Sequence, residues 1–469
     1  MRKKHKNVIL ENIKLLSAGA KGVAVGRTEE GKTVLVSGAV PGDLVNARVK
    51  KSKSKYFEAE AIEILEPSPE RVEPKCIHFG VCGGCKWQNL SYEKQLEFKQ
   101  EEVYNHIKRI GGIEDFETLP ILGSPEAYFY RNKMEFSFSN ARWLTQTEIS
   151  SEENFGNRDA LGFHIPGMWS KILDLKECWL QEDPSNYIRL AVKQYAVANG
   201  LDFFDVKEQS GFLRTLMLRQ NSKGEWMVLF QLFKEEQENR IKLFDFLLQE
   251  FPQIKTLVYC INSKPNDSIY DQHVVTYYGD GFLMEEMDGL QFKIGPKSFF
   301  QTNYKQALEL YRKTLEFADL KGDEVVYDLY TGTGTIAQYV ARNAKQVIGI
   351  ESVQEAIDAA KEHAKLNGLE NCTFYCGDMK DIFNDEFLLT HPKADVLITD
   401  PPRDGMHQKV VEQILKLAPE KIVYVSCNSA TQARDLALMK EHYKLIKILP
   451  VDMFPQTHHV ENIALLVKI

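Results

Sequence analysis

The chain has 469 residues, of which 43% are hydrophobic and 26% are charged, which is ordinary for a globular protein. This length is too great for one hydrophobic core and predicts two or three domains. No run stays apolar and uncharged over the ~18 to 20 positions of a membrane-spanning helix. The basic start meets Glu11 and Lys14 before the core of a secretory signal can form. We therefore expect a cytoplasmic protein with no membrane partner.

The net charge of −8 hides a strong asymmetry along the chain. Residues 1–56 contain 13 lysines and arginines but only four acids, so they carry +9 and the remainder carries −17. Because phosphate attraction acts through a local patch, this segment is a candidate nucleic-acid surface. A solvated basic face without a partner is the alternative interpretation.

Short alternating segments separated by turn residues fill residues 7–66. The first is VILENIKLL, the fifth is YFEAEAIEIL, and Gly-rich or Pro-Gly-Asp turns lie between them. Five strands in about sixty residues predict a small closed barrel, which has no free edges. A cluster of lysines is predicted for its fourth hairpin: Lys50, Lys51, Lys53 and Lys55.

The rest of the chain shows two further patterns of predicted secondary structure. SYEKQLEFKQEEVYNHIKRI has helical spacing, and residues from about 128 to 290 are mainly strand-like, with helices around 185–199 and 235–250. This pattern predicts an α+β middle domain. From about 300, short β-branched strands alternate with helices, which predicts a parallel, doubly wound sheet.

Several strands of this last region end in residues suited to a cofactor. VVYDLY runs into the turn Thr331-Gly-Thr-Gly-Thr335, and the next strand ends in Glu351, an acid suited to ribose hydroxyls. These two features equally describe a dinucleotide site. Further strands end in Asp378 and in Asp400-Pro-Pro, and the whole order resembles class I S-adenosylmethionine-dependent methyltransferases. For any single acid, helix capping is the alternative interpretation.

A candidate nucleophile, Cys427, ends the strand KIVYVSC at the same edge of the predicted sheet. A thiolate is a strong nucleophile at neutral pH, although a lone cysteine is more often a buried structural residue. C5 of uracil attacks a sulfonium methyl only after a thiolate has added to C6 and given C5 enolate character. A base must then remove the C5 proton. Glu461 is the candidate base, and His458 and His459 are its rivals.

Six motifs resemble, in order, those of the RNA uracil-5 methyltransferase family: SFFQTN, DLYTGTGT, GIE, DPPRDG, YVSCNSATQARD and HHVEN. The resemblance implies that Cys427 is the nucleophile, that Glu461 accepts the proton and that Phe299 stacks on the target base. The family often has Cys and Asn where this chain has Thr331 and Thr335. The resemblance further implies six cofactor contacts: Gln301, Tyr330, Thr335, Glu351, Asp378 and Asp400.

The position after Asp-Pro-Pro separates this family from its neighbours. RNA cytosine-5 methyltransferases carry a cysteine there, whereas this chain has Arg403. Amino-directed methylases place an aromatic residue there and need no downstream cysteine. Arg403 together with Cys427 therefore favours uracil C5.

Four of the eight cysteines have the spacing of a metal site: Cys76, Cys82, Cys85 and the distant Cys178. Zinc and a [4Fe–4S] cluster both accept four thiolates, and the spacing does not choose between them. Four unrelated buried cysteines are the remaining alternative. The surrounding runs KCIHFGVCGGCKWQ and LGFHIPGMWSKILDLKEC resemble the cluster-binding part of ribosomal-RNA uracil-5 methyltransferases, which implies [4Fe–4S].

In those relatives the N-terminal barrel is an RNA-binding TRAM domain. The predicted fold is therefore α/β: a Rossmann-like class I methyltransferase domain, an OB-like TRAM barrel and a central α+β domain that carries an iron–sulfur cluster. The predicted boundaries are 1–66 for the barrel, 67–90 with 116–290 for the central domain, and 91–115 with 291–469 for the methyltransferase domain.

The same resemblance gives an expected substrate. Bacterial transfer-RNA enzymes of this family lack both the barrel and the cluster, which favours 23S ribosomal RNA, with transfer RNA as the alternative. A non-catalytic RNA-binding protein with a vestigial methyltransferase fold is a more distant alternative. We expect the chain to act as a monomer.

Overall fold

Residues 8–151 and 156–469 are described by a computed structural model, in which three sheets and one separate hairpin follow one another along the chain. The first sheet is a closed barrel of the order β1-β2-β3-β5-β4, as predicted. Small and β-branched side chains fill its interior. Its strands are β1 Ile9–Gly19, β2 Val23–Arg27, β3 Thr33–Ser37, β4 Leu44–Ser52 and β5 Tyr56–Glu66.

The middle region is a seven-stranded sheet of the order β13-β12-β11-β10-β7-β8-β9. It follows the helix α1 Tyr92–Arg109 and the short strand β6 Glu117–Thr118. All residues of its two central strands, β10 and β11, are buried, because side chains cover both faces of the sheet. The strands are β7 Lys133–Ser139, β8 Ala160–Ile165, β9 Met168–Asp174, β10 Leu213–Gln220, β11 Trp226–Leu232, β12 Ile254–Ile261 and β13 Val275–Tyr278. The helices are α2 Gln146–Ser150, α3 Ser185–Ala198 and α4 Gln237–Glu250.

The C-terminal region begins with the hairpin β14 Leu283–Met287 and β15 Leu290–Ile294 and continues as an alternation of helices and strands. The helices are α5 Tyr304–Ala318, α6 Thr335–Ala341, α7 Gln354–Leu366, α8 Met379–Ile382, α9 Asp385–Thr390, α10 Gln408–Leu417 and α11 Ser429–Met439. The strands are β16 Val325–Leu329, β17 Gln346–Glu351, β18 Cys372–Cys376, β19 Val396–Thr399, β20 Lys421–Ser426, β21 Tyr443–Val451 and β22 Glu461–Lys468.

These strands form an eight-stranded sheet of the order β18-β17-β16-β19-β20-β22-β21-β6. Strands β16 to β20 are mutually parallel, whereas β22 runs antiparallel to both β20 and β21. The predicted doubly wound sheet is confirmed. Strand β6 pairs with β21, so the predicted boundary between residues 115 and 116 falls just before a strand of this third sheet. None of the helices in the described ranges has the length and apolarity needed to cross a bilayer.

Candidate active site

The parallel strands of the third sheet bring the predicted site residues to one edge. Strand β16 lies between β17 and β19, and β19 pairs in turn with β20. The carboxyl ends of neighbouring parallel strands therefore meet, which is where open α/β sheets bind ligands. The glycine turn, Glu351, Asp400 and Cys427 each lie at one of these ends.

Cys427 and Glu461 lie on adjacent strands, where β20 ends and β22 begins. The ladder between these antiparallel strands ends with Ser426 opposite Asn462, so the next positions on each strand are Cys427 and Glu461. Glu461 is only 7% exposed, and the thiol is half-buried. Asn428, the residue after the thiol, caps α11 through its side chain. The thiol thus lies beside a helix N-terminus, which favours its anionic form.

The electrostatics of this pocket are dominated by buried acids. Burial, together with the negative charges of Glu461 and Asp400, raises the pKa of Cys427 to about 11, and the charge of Arg403 opposes this rise. Burial and the charge of Asp400 also raise the pKa of Glu461, and Arg403 again lowers it. A pocket with this charge favours a cationic ligand, because such a ligand stabilises each ionised acid in turn.

Asp328 adds a further buried acid at the base of this pocket, and the sequence analysis did not single it out. Burial raises its pKa to about 7, and the hydroxyl of Thr331 donates a hydrogen bond to its carboxylate. The charge of Asp328 in turn raises the pKa of Asp400. The alternating pattern of VVYDLY could have identified this residue, since an acid inside a buried parallel strand needs a specific reason.

The loop that carries Asp400 is held against the loop of Cys427. The backbone carbonyl of Arg403 accepts hydrogen bonds from Nδ2 of Asn428 at 2.8 Å and from Oγ1 of Thr431 at 3.1 Å. These bonds use the backbone of Arg403, and the charge of its guanidinium lowers the pKa of both Cys427 and Glu461. The motif NSAT thus links the loop of Cys427 to the Asp-Pro-Pro loop.

A second set of contacts fixes the far end of the same loop. The carboxylate of Asp435 accepts hydrogen bonds from the backbone N–H of Met406 at 2.8 Å and from the hydroxyl of Tyr424 at 2.7 Å. Gly405 has a φ of +75°, and a Cβ there would lie 2.6 Å from Nη2 of Arg434. Only glycine therefore fits at this turn.

Glu351 organises the glycine turn. Its Oε2 accepts a hydrogen bond from the N–H of Gly332 at 3.2 Å, and its Oε1 accepts one from the N–H of Val353 at 3.1 Å. Tyr330, at the start of this turn, has the left-handed φ of +63°. Thr335 is the first residue of α6, and its hydroxyl lies 3.4 Å from that of Thr333.

Asp378 has a local role that the sequence analysis named only as an alternative. It is the N-cap of α8, where its side chain accepts a hydrogen bond from the N–H of Lys380. It also forms an ion pair of 2.7 Å with the ammonium group of Lys380, and its side chain is 53% exposed. Its charge nevertheless acts on Tyr330, whose pKa is raised by burial and by Asp435, Asp378 and Glu351.

Phe299 and Gln301 lie in the segment between β15 and α5. Phe299 is 67% exposed, whereas its neighbour Phe300 is 6% exposed and packs in the core of the third sheet. The carbonyl oxygen of Gln301 accepts a hydrogen bond from Nδ2 of Asn132 at 3.0 Å. At the end of the segment, Nδ2 of Asn303 donates to the carbonyl of Met453 at 3.0 Å, which ties the segment to the loop before Glu461.

The loop of residues 452–460, which precedes Glu461, is anchored by α1. Nζ of Lys99 lies 2.6 Å from Oδ1 of Asp452, and both side chains are fully buried. The hydroxyl of Tyr92 donates to Oδ2 of the same carboxylate at 2.8 Å. The carbonyl of Gln456 accepts hydrogen bonds from the N–H groups of Lys86 and Trp87 at 2.8 and 3.1 Å.

His458 and His459, the rival bases, lie in this loop with their ring centroids 4.1 Å apart. Burial lowers the pKa of both side chains, to about 4 for His458. The barrel reaches this point, because a Cβ at Gly22 would lie 3.2 Å from the Cβ of His458. The connection between β1 and β2, a single 3-10 turn over Ala20–Gly22, therefore lies close to the loop that leads to Glu461.

The four cysteines predicted to bind a metal line one cavity of about 540 Å³ next to the middle sheet: Cys76, Cys82, Cys85 and Cys178. Burial raises the pKa of each thiol, to about 11 for Cys85 and about 12 for Cys178. Within residues 8–151 and 156–469, no three His, Cys, Asp or Glu side chains are arranged to hold a single metal ion. The thiols thus share a cavity without converging on one point.

Comparisons with known proteins match both ends of the chain to family models and nearly its whole length to curated relatives. The family model described as tRNA (Uracil-5-)-methyltransferase matches residues 280–469, and the TRAM domain model matches residues 11–62. The chain is 51% identical, over 95% of its length and 99% of the relative, to a Bacteroides thetaiotaomicron protein described as an uncharacterized RNA methyltransferase. It is 49% identical to a Porphyromonas gingivalis protein of the same description, with 97% of this chain and 99% of that one covered.

Among solved structures, the fold is similar to that of Pyrococcus abyssi tRNA (uracil-54, C5)-methyltransferase in complex with S-adenosyl-L-homocysteine. The TM-score is 0.74 and the sequence identity 29%, and the match covers 97% of this chain and 99% of that one. The similarity therefore includes the barrel and the middle sheet as well as the third sheet.

Proposed function

The chain belongs to the S-adenosylmethionine-dependent RNA uracil-5-methyltransferase family, and from this premise we propose that Cys427 and Glu461 perform the chemistry on the uracil ring. The observation that carries the proposal is that these two residues lie directly beyond the last pair, Ser426 and Asn462, of the ladder between two adjacent strands. A flat pyrimidine placed between them would present C6 to the thiol and C5 to the carboxylate.

Each group has one task in the proposed reaction. S-adenosylmethionine supplies an electrophilic methyl group at the pocket of buried acids. The thiolate of Cys427 would add to C6, and C5 would then take the methyl group as a carbon nucleophile, so that the sulfur–methyl bond breaks and S-adenosylhomocysteine leaves. Glu461 then removes the C5 proton, and the bond between sulfur and C6 breaks. The raised pKa of Glu461 makes its carboxylate a stronger base for this step.

The proposed cofactor contacts rest on one crevice at the strand ends. The acids Glu351 and Asp378 both act on Tyr330, which indicates that the three side chains are neighbours. Asp400 lies on the side of Cys427, since its charge raises the pKa of that thiol. Gln301 and Thr335 complete the proposed set, and the exposed ring of Phe299 is proposed to stack on the target base.

We also propose that the four-cysteine cavity holds a [4Fe–4S] cluster rather than a zinc ion. A tetrahedral zinc site with Zn–S bonds of about 2.3 Å would bring four sulfurs within about 3.8 Å of each other. The four cysteines share a cavity of about 540 Å³ but no arrangement for a single ion, which suits a larger group held by four thiolates. Such a cluster would clamp residues 76–85 to Cys178.

The proposed substrate is 23S ribosomal RNA, because the cysteine-containing runs resemble the cluster-binding part of ribosomal-RNA uracil-5 methyltransferases, and transfer RNA is the second candidate. The similarity to the Pyrococcus abyssi enzyme favours transfer RNA. The fold of that tRNA (uracil-54, C5)-methyltransferase matches this chain over nearly the whole length of both. The presence of a barrel and a middle domain therefore does not by itself select ribosomal RNA.

Mapping 5-methyluridine in both RNA pools of a deletion strain tests the substrate. We expect the modification to disappear from 23S ribosomal RNA and to return when the wild-type chain, but not its Cys427→Ala variant, is supplied. Loss from transfer RNA alone would assign the second candidate. Unchanged 5-methyluridine in both pools, together with no methyl transfer by the purified protein, would contradict the proposed function.

The charge of Arg403 is expected to set the pH dependence of the reaction. Cys427 and Glu461 both act in their deprotonated forms and both have raised pKa values, so kcat/KM should increase with pH from neutral to alkaline conditions. Arg403 lowers both pKa values, and the Arg403→Met variant should therefore shift this increase to higher pH. The backbone contacts of residue 403 remain in the variant.

A pH profile of methyl transfer between pH 6 and about 10 measures this shift. The matched control is Lys409→Met, which removes a positive charge from an exposed position on α10. Superimposable profiles for the wild-type protein and Arg403→Met would contradict the proposed role of this charge.

A further inference from the structure

A buried arginine at the end of β10 reaches toward the segment that carries Phe299. Arg219 is 3% exposed, and its Nη1 and Nη2 donate hydrogen bonds to the carbonyl oxygens of Gly295 at 2.9 Å and Ser298 at 3.0 Å. Burial lowers the pKa of its guanidinium to about 10. Burying a cation costs free energy, and hydrogen bonds from the guanidinium to protein acceptors offset part of that cost.

The two carbonyls that Arg219 holds belong to one tight turn. The N–H of Ser298 donates to the carbonyl of Gly295 at 3.2 Å, and the N–H of Gly295 donates to Oγ of Ser298 at 3.0 Å. This turn ends one residue before Phe299. The guanidinium therefore fixes the chain directly at the approach to the exposed ring.

Asn132 holds the other side of Phe299. It donates from its backbone N–H to the carbonyl of Thr302 at 2.7 Å and from Nδ2 to the carbonyl of Gln301 at 3.0 Å. Its own carbonyl accepts the N–H of Gln220, the residue after Arg219, at 2.8 Å. Arg219 and Asn132 thus lie next to each other at the middle sheet.

The direction of the Phe299 ring follows from this backbone support. The ring itself is largely exposed, whereas the next residue, Phe300, is buried with its ring centroid 6.1 Å from that of Phe292. The backbone is thus held on both sides of this exposed ring, by Arg219 before it and by Asn132 after it. Positions of this kind need support from surrounding groups to hold a productive geometry.

We propose that Arg219 is a positioning residue that sets the stacking geometry of Phe299 on the target base by holding the carbonyls of Gly295 and Ser298. This proposal rests on the proposed function of Phe299. It assigns to the middle sheet a direct part in presenting the uracil to Cys427. Arg219 itself touches neither the base nor the cofactor in this account.

The same strand provides a matched control. Arg214 is also buried, at 4% exposure, and its Nη1 donates to the carbonyls of Asn262 at 2.7 Å and Lys264 at 2.6 Å. It lies five positions from Arg219, about 17 Å along a strand with a rise of about 3.4 Å per residue. The loop that it holds carries none of the proposed site residues.

The experiment compares Arg219→Met with Arg214→Met, each alone and combined with Phe299→Ala, using kcat and KM for RNA per folded protein. We expect Arg219→Met to lower kcat/KM by about tenfold or more, since a misplacement near 1 Å costs up to about a hundredfold. In the Phe299→Ala background most of this loss should vanish, because the two residues act through one geometry. Arg214→Met should have the same small effect in both backgrounds.

Several outcomes would overturn the proposal. Equal losses for the two arginine variants, or a loss for Arg219→Met that persists in full without the Phe299 ring, would assign Arg219 a purely structural role. Should Arg219→Met fail to fold, Arg219→Lys, which keeps the positive charge on a single donor nitrogen, undergoes the same cycle against Arg214→Lys. Failure of the proposed function is seen separately, as absence of methyl transfer by the wild-type protein.

Discussion

The Cys427→Ala variant is expected to lose methyl transfer to RNA by at least about 10⁴-fold, as is typical when a covalent nucleophile is removed. Without the thiolate, no group adds to C6, and C5 stays too weak a nucleophile to accept the methyl group. S-adenosylmethionine binding should be kept, because the proposed cofactor residues lie on the other strand ends. Incorporation of labelled methyl groups and equilibrium binding of the cofactor measure the two quantities.

A second readout separates the nucleophile from its partner base. RNA that contains 5-fluorouridine should form a covalent complex with the wild-type protein on a denaturing gel and none with Cys427→Ala, because fluorine at C5 blocks release. Glu461→Gln should instead accumulate a covalent complex with ordinary, methylated RNA, since the C5 proton is not removed. Turnover of Glu461→Gln at the wild-type rate would transfer the role of base to His458 or His459.

Two matched control variants test whether the expected losses are specific to Cys427 and Glu461. Cys372→Ala removes a half-buried thiol from β18 of the same sheet, whose pKa burial raises to about 12. Glu285→Gln neutralises a buried acid of β14, whose pKa is also raised by burial. Both variants should retain methylation. A Cys427→Ala variant with undiminished methylation would remove the basis of the proposed chemistry.

The positions of Cys427 and of the glycine turn at the edge of the sheet were predictable because each lies within a few residues of a strand end. In YVSCNS, an apolar strand gives way to polar residues at Cys427, and the structure ends β20 at Ser426. The parallel order of the strands follows from the alternation with helices, and it brings such ends together. Sequence alone therefore located this edge of the sheet and the residues on it.

The groups that hold these residues were not predictable, because they come from distant parts of the chain. Lys99 and Asp452 form a buried ion pair although 353 positions separate them. Asn132 and Arg219 reach the segment of Phe299 from a different sheet. No local periodicity indicates such contacts, since they depend on how whole elements pack.

Ion pairs between strands of the barrel lower the positive charge that the sequence alone assigns to residues 1–56. The register of β4 and β5 places Lys51 opposite Glu58, and the two side chains lie 3.6 Å apart. Lys50 forms an ion pair of 2.6 Å with Glu60. These partners come just after residue 56, so the charge of +9 over residues 1–56 overstates the local patch. Lys53 and Lys55 remain as exposed candidates for phosphate contacts.

The second large effect is expected on the metal content of the protein, because the four-cysteine cavity is proposed to hold a cluster. Protein purified without oxygen is expected to be brown, to absorb near about 400 nm and to contain about four iron atoms per chain. Cys178→Ser should lose most of this iron, because the serine leaves one position of the cluster without a thiolate. Cys260→Ser should keep the iron, because it alters a buried thiol of β12 in the middle sheet that is not one of the four cysteines. Iron analysis and the absorption spectrum test both variants, and a colourless wild-type protein with stoichiometric zinc would contradict the cluster.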